Sequence, residues 1–224
     1  METKQAIEDR HSVRVFTNKD VEVNKLKGLV KLAQKAPSWV DSQPWKIYLV
    51  RGKSLAKLKE LHLKNSKTDR SAAPEWPTMH RVNWDEFPRD NMAKLNLHRT
   101  NYLTKDELDS GWAEAQQNLY YAPAVFYLTI PQNSSNWSIY DLGAFAQTLM
   151  LAATDMGLGS MVAYEFVKYP DEIRQILPIP EKEAIAVGIA VGYEAEDHIN
   201  NFRSERLSLD NVLQIFDKKL IFLF

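Results

Sequence analysis

Residues 141–159, DLGAFAQTLMLAATDMGLG, are apolar nearly all the way round a helical projection. A helix without a polar side must be covered on every side, so the segment predicts a buried central helix ending at Gly157 or Gly159. Its cover has to come from the other apolar segments. AIAVGIAVGY at 184–193 reads as a continuous apolar strand with both faces buried. KIYLVRG at 46–52 and PAVFYLTI at 123–130 are two further strand candidates.

Between these lie helical patterns. Val23, Leu26, Leu29, Val30 and Ala33 recur at helical spacing from Glu22 to Ala36, and Pro37 stops the run. KSLAKLKELHLKN carries a stripe of Leu55, Leu58 and Leu61. Residues 3–9 form a short helix, and YPDEIRQIL starts another with Pro170 near its first position. Residues 66–112 are polar, rich in Trp, Arg and Pro, and weakly periodic; they read as an inserted helical excursion, a lid over a site. Strands and helices mix without regular alternation and no linker interrupts them, which predicts one α+β domain over residues 1–224. The chain ends DKKLIFLF, an apolar run that asks for a sheet edge or groove, with the lean towards that of a partner chain.

Several function classes drop out. Lys and Arg number 28 against 29 Asp and Glu, so there is no broad basic field for nucleic acid. The absence of cysteine removes disulfides, thiolate nucleophiles, Cys-ligated zinc and iron–sulfur clusters. The charged start METKQAIEDRHS is not a secretory signal, and the apolar region near 142–163 is too interrupted to span a membrane; a cytoplasmic protein is expected. GLGSMV at 157–162 lacks the third glycine of a dinucleotide fingerprint and follows a helix, and neither GxxxxGK[ST] nor GxSxG occurs. The five histidines, at 11, 62, 80, 98 and 198, make no metal-ligand pair, and His62, His80 and His98 read as surface or structural residues. With no catalytic set on display, the chemistry is expected from a bound cofactor.

One constellation remains. In RHSVRVF, Arg10, Ser12 and Arg14 stand at every second position, so an extended backbone turns them to one face. Two guanidinium forks and a hydroxyl suit a phosphomonoester. The alternative is a solvated run in which one arginine caps a helix and the other pairs with Glu8 or Asp9. APSWVDSQPWKIYLV sets Ser38, Asp41 and Gln43 in a turn suited to the polar edge of a planar ligand. FRSERLSL adds Arg203 and Arg206 far along the chain.

The order RHSVR, APSW-x-D-x-QPW, D-L-G-x(3)-Q-x-L-x-L-A-A with GLGS, VGIAVGY and FRSERL resembles the FMN-dependent nitroreductase family over essentially the whole chain outside 66–112. The resemblance implies an α+β nitroreductase-like fold, with a central, mostly antiparallel sheet flanked by helices. It also implies an intertwined homodimer whose C-terminus extends onto the partner, with FMN at the subunit interface. By the same resemblance Arg10, Ser12 and Arg14, with His11 inside the motif, hold the FMN phosphate and adjoining flavin. Pro37, Ser38, Trp39 and Asp41 match a loop reaching the flavin from the other subunit. Gln147 matches a flavin or ribityl contact, and Val162, Ala163, Tyr164 and Glu165 the stretch whose backbone N–H groups approach flavin N5. Arg206, with Arg203 as a second candidate, matches the C-terminal phosphate arginine.

The implied activity is ping-pong hydride transfer from NADH or NADPH through flavin N5 to a small nitroaromatic or quinone-type acceptor, with no side chain acting as acid or base. The insert's Trp76, Trp84, Phe87 and Tyr102 are expected lid residues. Asp41 stands where many members have asparagine, and a carboxylate there would lower the flavin potential unless hydrogen-bonded or further off. The stretch 162–165 lacks the Pro and Gly common in the family, and Ser204 stands where some members carry lysine. Rival readings are a specialised flavin enzyme on the same fold (dehalogenase, azoline oxidase or flavin-fragmenting), a non-catalytic flavin-binding protein, and a structural dimer whose arginines pair with acids.

Overall fold

The computed structural model describes residues 1–68 and 70–216. Strands β1 (Lys46–Arg51), β2 (Ala124–Pro131), β3 (Gly159–Ala163) and β4 (Glu183–Gly192) form one sheet in the order β1–β2–β4–β3. Every neighbouring pair is antiparallel. The central strands β2 and β4 carry the long apolar runs, because a strand covered on both faces has no wet side to make polar. Along β2, Phe126, Leu128 and Ile130 enter one core, while Val125 and Tyr127 enter the other.

The helices are α1 (Thr3–Asp9), α2 (Val23–Ala33), α3 (Gly52–Lys67), α4 (Glu86–Tyr102), α5 (Ala113–Gln117), α6 (Asn136–Asp155) and α7 (Pro170–Ile176). The first core joins the sheet to Leu26, Leu29 and Ala33 of α2 and to Leu142, Phe145 and Leu149 of α6. Trp45 closes it, its ring 5.0 Å from that of Phe145. The second core takes Leu55 and Leu58 of α3, Ala115 of α5 and Ile173 of α7. Each Leu or Phe so buried contributes about 1.5–3 kcal/mol.

Two helices differ from the sequence expectation. α2 ends at Ala33, short of Pro37. The chain tightens there through Lys35 N–H to Leu32 O and Ala36 N–H to Ala33 O, both 3.0 Å, since the residue before proline avoids helical geometry. α6 begins at Asn136 and closes as its glycine foretold. Gly157 is left-handed (φ 69°), donates to Thr154 O at 3.0 Å, and lets Leu158 N–H reach Ala153 O at 2.8 Å. Its burial, however, is one-sided: Leu142, Phe145, Leu149 and Ala153 are buried, while Gly143 and Gln147 are exposed. Among the described residues nothing covers that outer side. No helix there is long and apolar enough to cross a membrane.

Within 66–112 lie α4 and a π-helical turn, Glu107–Trp112. The segment starts firmly anchored. The Glu75 carboxylate takes Arg174 through two bonds (2.7 and 3.0 Å) and accepts Ile185 N–H at 2.7 Å, and Trp76 packs on the first core. α4 itself buries no side chain fully. The apolar run 220–224 lies outside the described residues.

Candidate active site

Residues 10–16 run beside β3. Ser12 bridges to Ser160 in parallel register, and Val13 N–H donates to Ser160 O at 3.0 Å. Val13 points inward against Gly159, where an added Cβ would lie 2.5 Å from Val13 Cγ2. That close approach needs glycine, and it leaves Arg10, Ser12 and Arg14 on the outward side. Asn200, only 1% exposed, fixes the segment from the other end of the chain. Its Oδ1 accepts the N–H groups of Arg14 (2.7 Å) and Val15 (3.0 Å), and its Nδ2 donates to Val15 O (2.7 Å) and Ala195 O (3.0 Å).

The result is a cleft of about 440 Å³ lined by Arg10, Ser12, Arg14, Phe202, Arg203 and Arg206, with one carboxylate, Glu8, whose partner is Lys4 at 3.7 Å. Sequence-distant arginines therefore converge as expected. The Arg14 guanidinium sits 4.6 Å from the Trp112 ring centre and 5.5 Å from that of Phe202, a cation held against π faces. Arg203 and Arg206 donate to Asn200 O at 2.6 Å and Ser204 Oγ at 2.7 Å. Among the described residues none of the four forms an ion pair, and the Arg14 Nε is buried without an acceptor. Of the solvated-run alternative the structure contains one half: Arg10 is the residue that closes α1, its N–H donating to Ala6 O at 3.1 Å, while among the described residues neither Arg10 nor Arg14 pairs with Glu8 or Asp9.

Crowded positive charge shows in the titration. Burial, and then the charge of Arg206, lowers Arg10. Burial brings Arg14 down to about 10, with Tyr120 opposing and Arg203 and Arg99 adding to the fall. A cluster that disfavours its own charge is stabilised by a multiply charged anion.

Beside the cleft, β3 ends in a platform. Val162 and Tyr164 are 42% and 39% exposed, with Ala163 between them. The Glu165 side chain turns away, meeting His62 Nε2 at 3.1 Å and Lys168 Nζ at 3.1 Å. Tyr120 lies between the two halves: burial lifts its phenol to about 12, and the charges of Glu165 and Arg14 act on it in opposite senses. His11 lines the cleft, but its ring is engaged, with Nδ1 2.9 Å from Asp9 O and Nε2 3.0 Å from Glu194.

Pro37, Ser38, Trp39, Asp41 and Gln147 are not brought to this cleft within one chain. The 38–43 turn is nevertheless sharply shaped. Val40, Asp41 and Gln43 are left-handed (φ 46°, 56° and 42°), each at a cost of about 1–3 kcal/mol. Trp39 N–H donates to the buried Asp141 carboxylate at 3.0 Å, and Ser38 Oγ accepts Gln43 N–H at 3.0 Å. The Asp41 carboxylate accepts Gln43 Nε2 at 2.9 Å. Trp39 itself is 59% exposed. Gln147 is exposed on the outer side of α6.

Of the expected lid aromatics, Trp76 is core and Trp84 and Phe87 are exposed. Tyr102 stacks on His198 at 4.7 Å. The aromatic that lines the cleft is Phe202, and Trp112 stands against the Arg14 guanidinium; the sequence singled out neither, nor Asn200 nor Glu194. Proximity to FRSERL is the only signal that Asn200 carries.

Such a cleft, beside the edge strand of an antiparallel sheet flanked by helices, has the donor groups that a phosphorylated ligand needs. The nitroreductase family model matches residues 7–193. Nitroreductase NfnB of Mycolicibacterium smegmatis is 28% identical over 212 residues, 92% of this chain and 89% of that protein. A 4-nitrobenzoate reductase of a Nocardioides species is 26% identical over 198 residues, 86% of this chain and 80% of that protein. The crystal structure of FMN-dependent NfnB from Mycobacterium smegmatis in complex with NADPH superposes with a TM-score of 0.86 at 26% identity, covering 95% of this chain and 97% of that one. The chain belongs to the nitroreductase family.

Proposed function

We propose that this protein is an FMN-dependent oxidoreductase carrying electrons from NADH or NADPH to nitroaromatic or quinone-type acceptors. The observation that carries the reading is the cleft of Arg10, Arg14, Arg203 and Arg206, which among the described residues form no ion pair and leave the buried Arg14 Nε without an acceptor. That donor set fits the terminal phosphate of FMN, and the exposed Val162–Tyr164 platform fits a flat ring system beside it. When bound, FMN supplies two-electron redox chemistry between a reduced nicotinamide and an electron-poor aromatic. The chain's own residues bind and orient. The arginines and Ser12 fix the phosphate, Asn200 fixes the backbone that presents them, and the platform offers apolar area for stacking. Relatives named for reducing nitroaromatics support the acceptor class.

A second copy of the chain completes the site in this reading. Trp39, with Trp137 and Tyr140 of α6, and Leu209, Val212, Ile215 and Phe216 near the end of the described chain, are large apolar side chains left exposed. A homodimer would cover them and bring the loop of Pro37, Ser38, Trp39 and Asp41 to a partner's cleft, as the family resemblance implies, and Gln147 on the outer side of α6 would then reach the flavin only across the same interface. The cytoplasm, where both nicotinamides are pooled, is the proposed compartment.

The test is the visible spectrum of the purified protein, before and after anaerobic addition of NADH and then NADPH. A flavin spectrum that bleaches is the expected result, followed by turnover with a nitroarene. Arg10→Ala and Arg14→Ala should each lose most of the bound flavin; unchanged flavin content in both overturns the assignment.

A further inference from the structure

Behind the platform lies a buried ionic cluster that phosphate binding does not use. His62 of α3 is 3% exposed. Its Nε2 is 3.1 Å from Glu165 Oε1, and its Nδ1 is 3.6 Å from Glu172 Oε2 on α7. Lys168 donates to Glu165 at 3.1 Å, Asn65 donates to Glu172, and the Tyr169 ring packs 5.3 Å from the imidazole. The other titratable groups facing the cluster are the buried Tyr127 phenol from β2, which feels Glu172, the Tyr120 phenol, which feels Glu165, the Tyr164 phenol, which feels Lys168 and Glu165, and the Arg70–Asp171 pair at its rim.

With the imidazole protonated, His62 and Lys168 balance Glu165 and Glu172. Without that proton one excess negative charge is shut in with little water, which is costly. Burial by itself would lower the His62 pKa, but the hydrogen bonds and charges of Glu165 and Glu172 outweigh it and hold the proton above the usual histidine value.

We propose that His62 is a positioning residue of the redox site. Its imidazolium fixes Glu165, and with it the Tyr164–Val167 turn at the end of β3, and neutralises the carboxylates behind the platform. This rests on the flavin reading. Hydride transfer moves one proton and two electrons: NADPH becomes NADP⁺, and FMN becomes its reduced form with one added negative charge. An uncompensated carboxylate behind the ring disfavours that added charge and lowers the potential.

The experiment is the flavin midpoint potential of FMN-loaded enzyme at neutral pH, for wild type, His62→Gln, Glu172→Gln, the double variant, and Glu183→Gln at the far end of β4 as control. His62→Gln should shift the potential negative and Glu172→Gln positive. The double variant, neutral again, should return close to wild type, and the control should not move. A merely structural contact predicts shifts of one sign and no return in the double variant. Shifts of one sign, or none, in loaded variants overturn the role of His62 and leave the flavin reading intact. A wild-type protein that takes up no FMN overturns both. Should His62→Gln fail to fold, the sign of the Glu172→Gln shift decides.

Discussion

Asn200 holds the backbone of Arg14 from 186 residues away, its Oδ1 accepting the Arg14 N–H at 2.7 Å. The same side chain satisfies Val15 on both its N–H and its C=O, so the arginine face is aimed by an amide that itself never enters the cleft. Asn200→Ala strands several buried polar groups at once. A loss of about 2–4 kcal/mol follows, with a parallel loss of bound flavin. Urea unfolding and the flavin absorbance of purified protein check both; full flavin content at reduced stability would separate the fold from the site.

Gly188 of β4 faces the Phe166 side chain so closely that an added Cβ would overlap it. Phe166 belongs to the turn after β3, so Gly188→Ala should push that turn outward. The expected cost is about 1–3 kcal/mol from overpacking, with a shifted visible flavin spectrum. Thermal unfolding and the spectrum of loaded protein measure the two effects.

Asp141→Ala removes the carboxylate that receives Trp39 N–H. Without it the left-handed Val40 and Asp41 lose a restraint that holds them in a sparsely populated conformation. Amide hydrogen exchange at residues 39–43 should quicken by tenfold or more, while β2 and β4 keep their protection. Unchanged exchange in the loop would mean that its shape is set elsewhere.

His62 makes stability depend on pH with a definite sign. Its folded pKa is raised, so the stabilisation is full below the unfolded value of about 6.5 and is lost as pH rises through the folded one. Melting temperature should therefore fall as pH rises beyond that unfolded value in wild type and lose that component in His62→Gln. Scanning calorimetry over a pH series checks it.

What the sequence made legible was local. The apolar runs of β2 and β4, the glycine that ends α6 and the every-second-residue spacing of Arg10, Ser12 and Arg14 follow from backbone period alone. What it concealed depends on distant partners. Asn200 and Trp112 act through residues far off in sequence, and no spacing rule marks them. The left-handed runs at Val40–Asp41 and Leu119–Tyr121 contain no glycine, so the usual residue signature of such backbone is missing. α6 read as buried all round because hydropathy reports that a side is apolar, not which chain covers it. The resemblance to nitroreductases had already placed the loop of Pro37, Ser38, Trp39 and Asp41 with a second subunit, and within one chain that loop stands clear of the cleft; Gln147, expected at the flavin with no subunit assigned, stands clear of it too.

In the proposed dimer that half-covered helix would make stability a matter of mass action. If the outer side of α6 is dried only when two chains meet, folding and association share one free energy, and dilution erodes it. The melting temperature should climb with protein concentration over a hundredfold range, and flavin should be shed on dilution even where every arginine is intact.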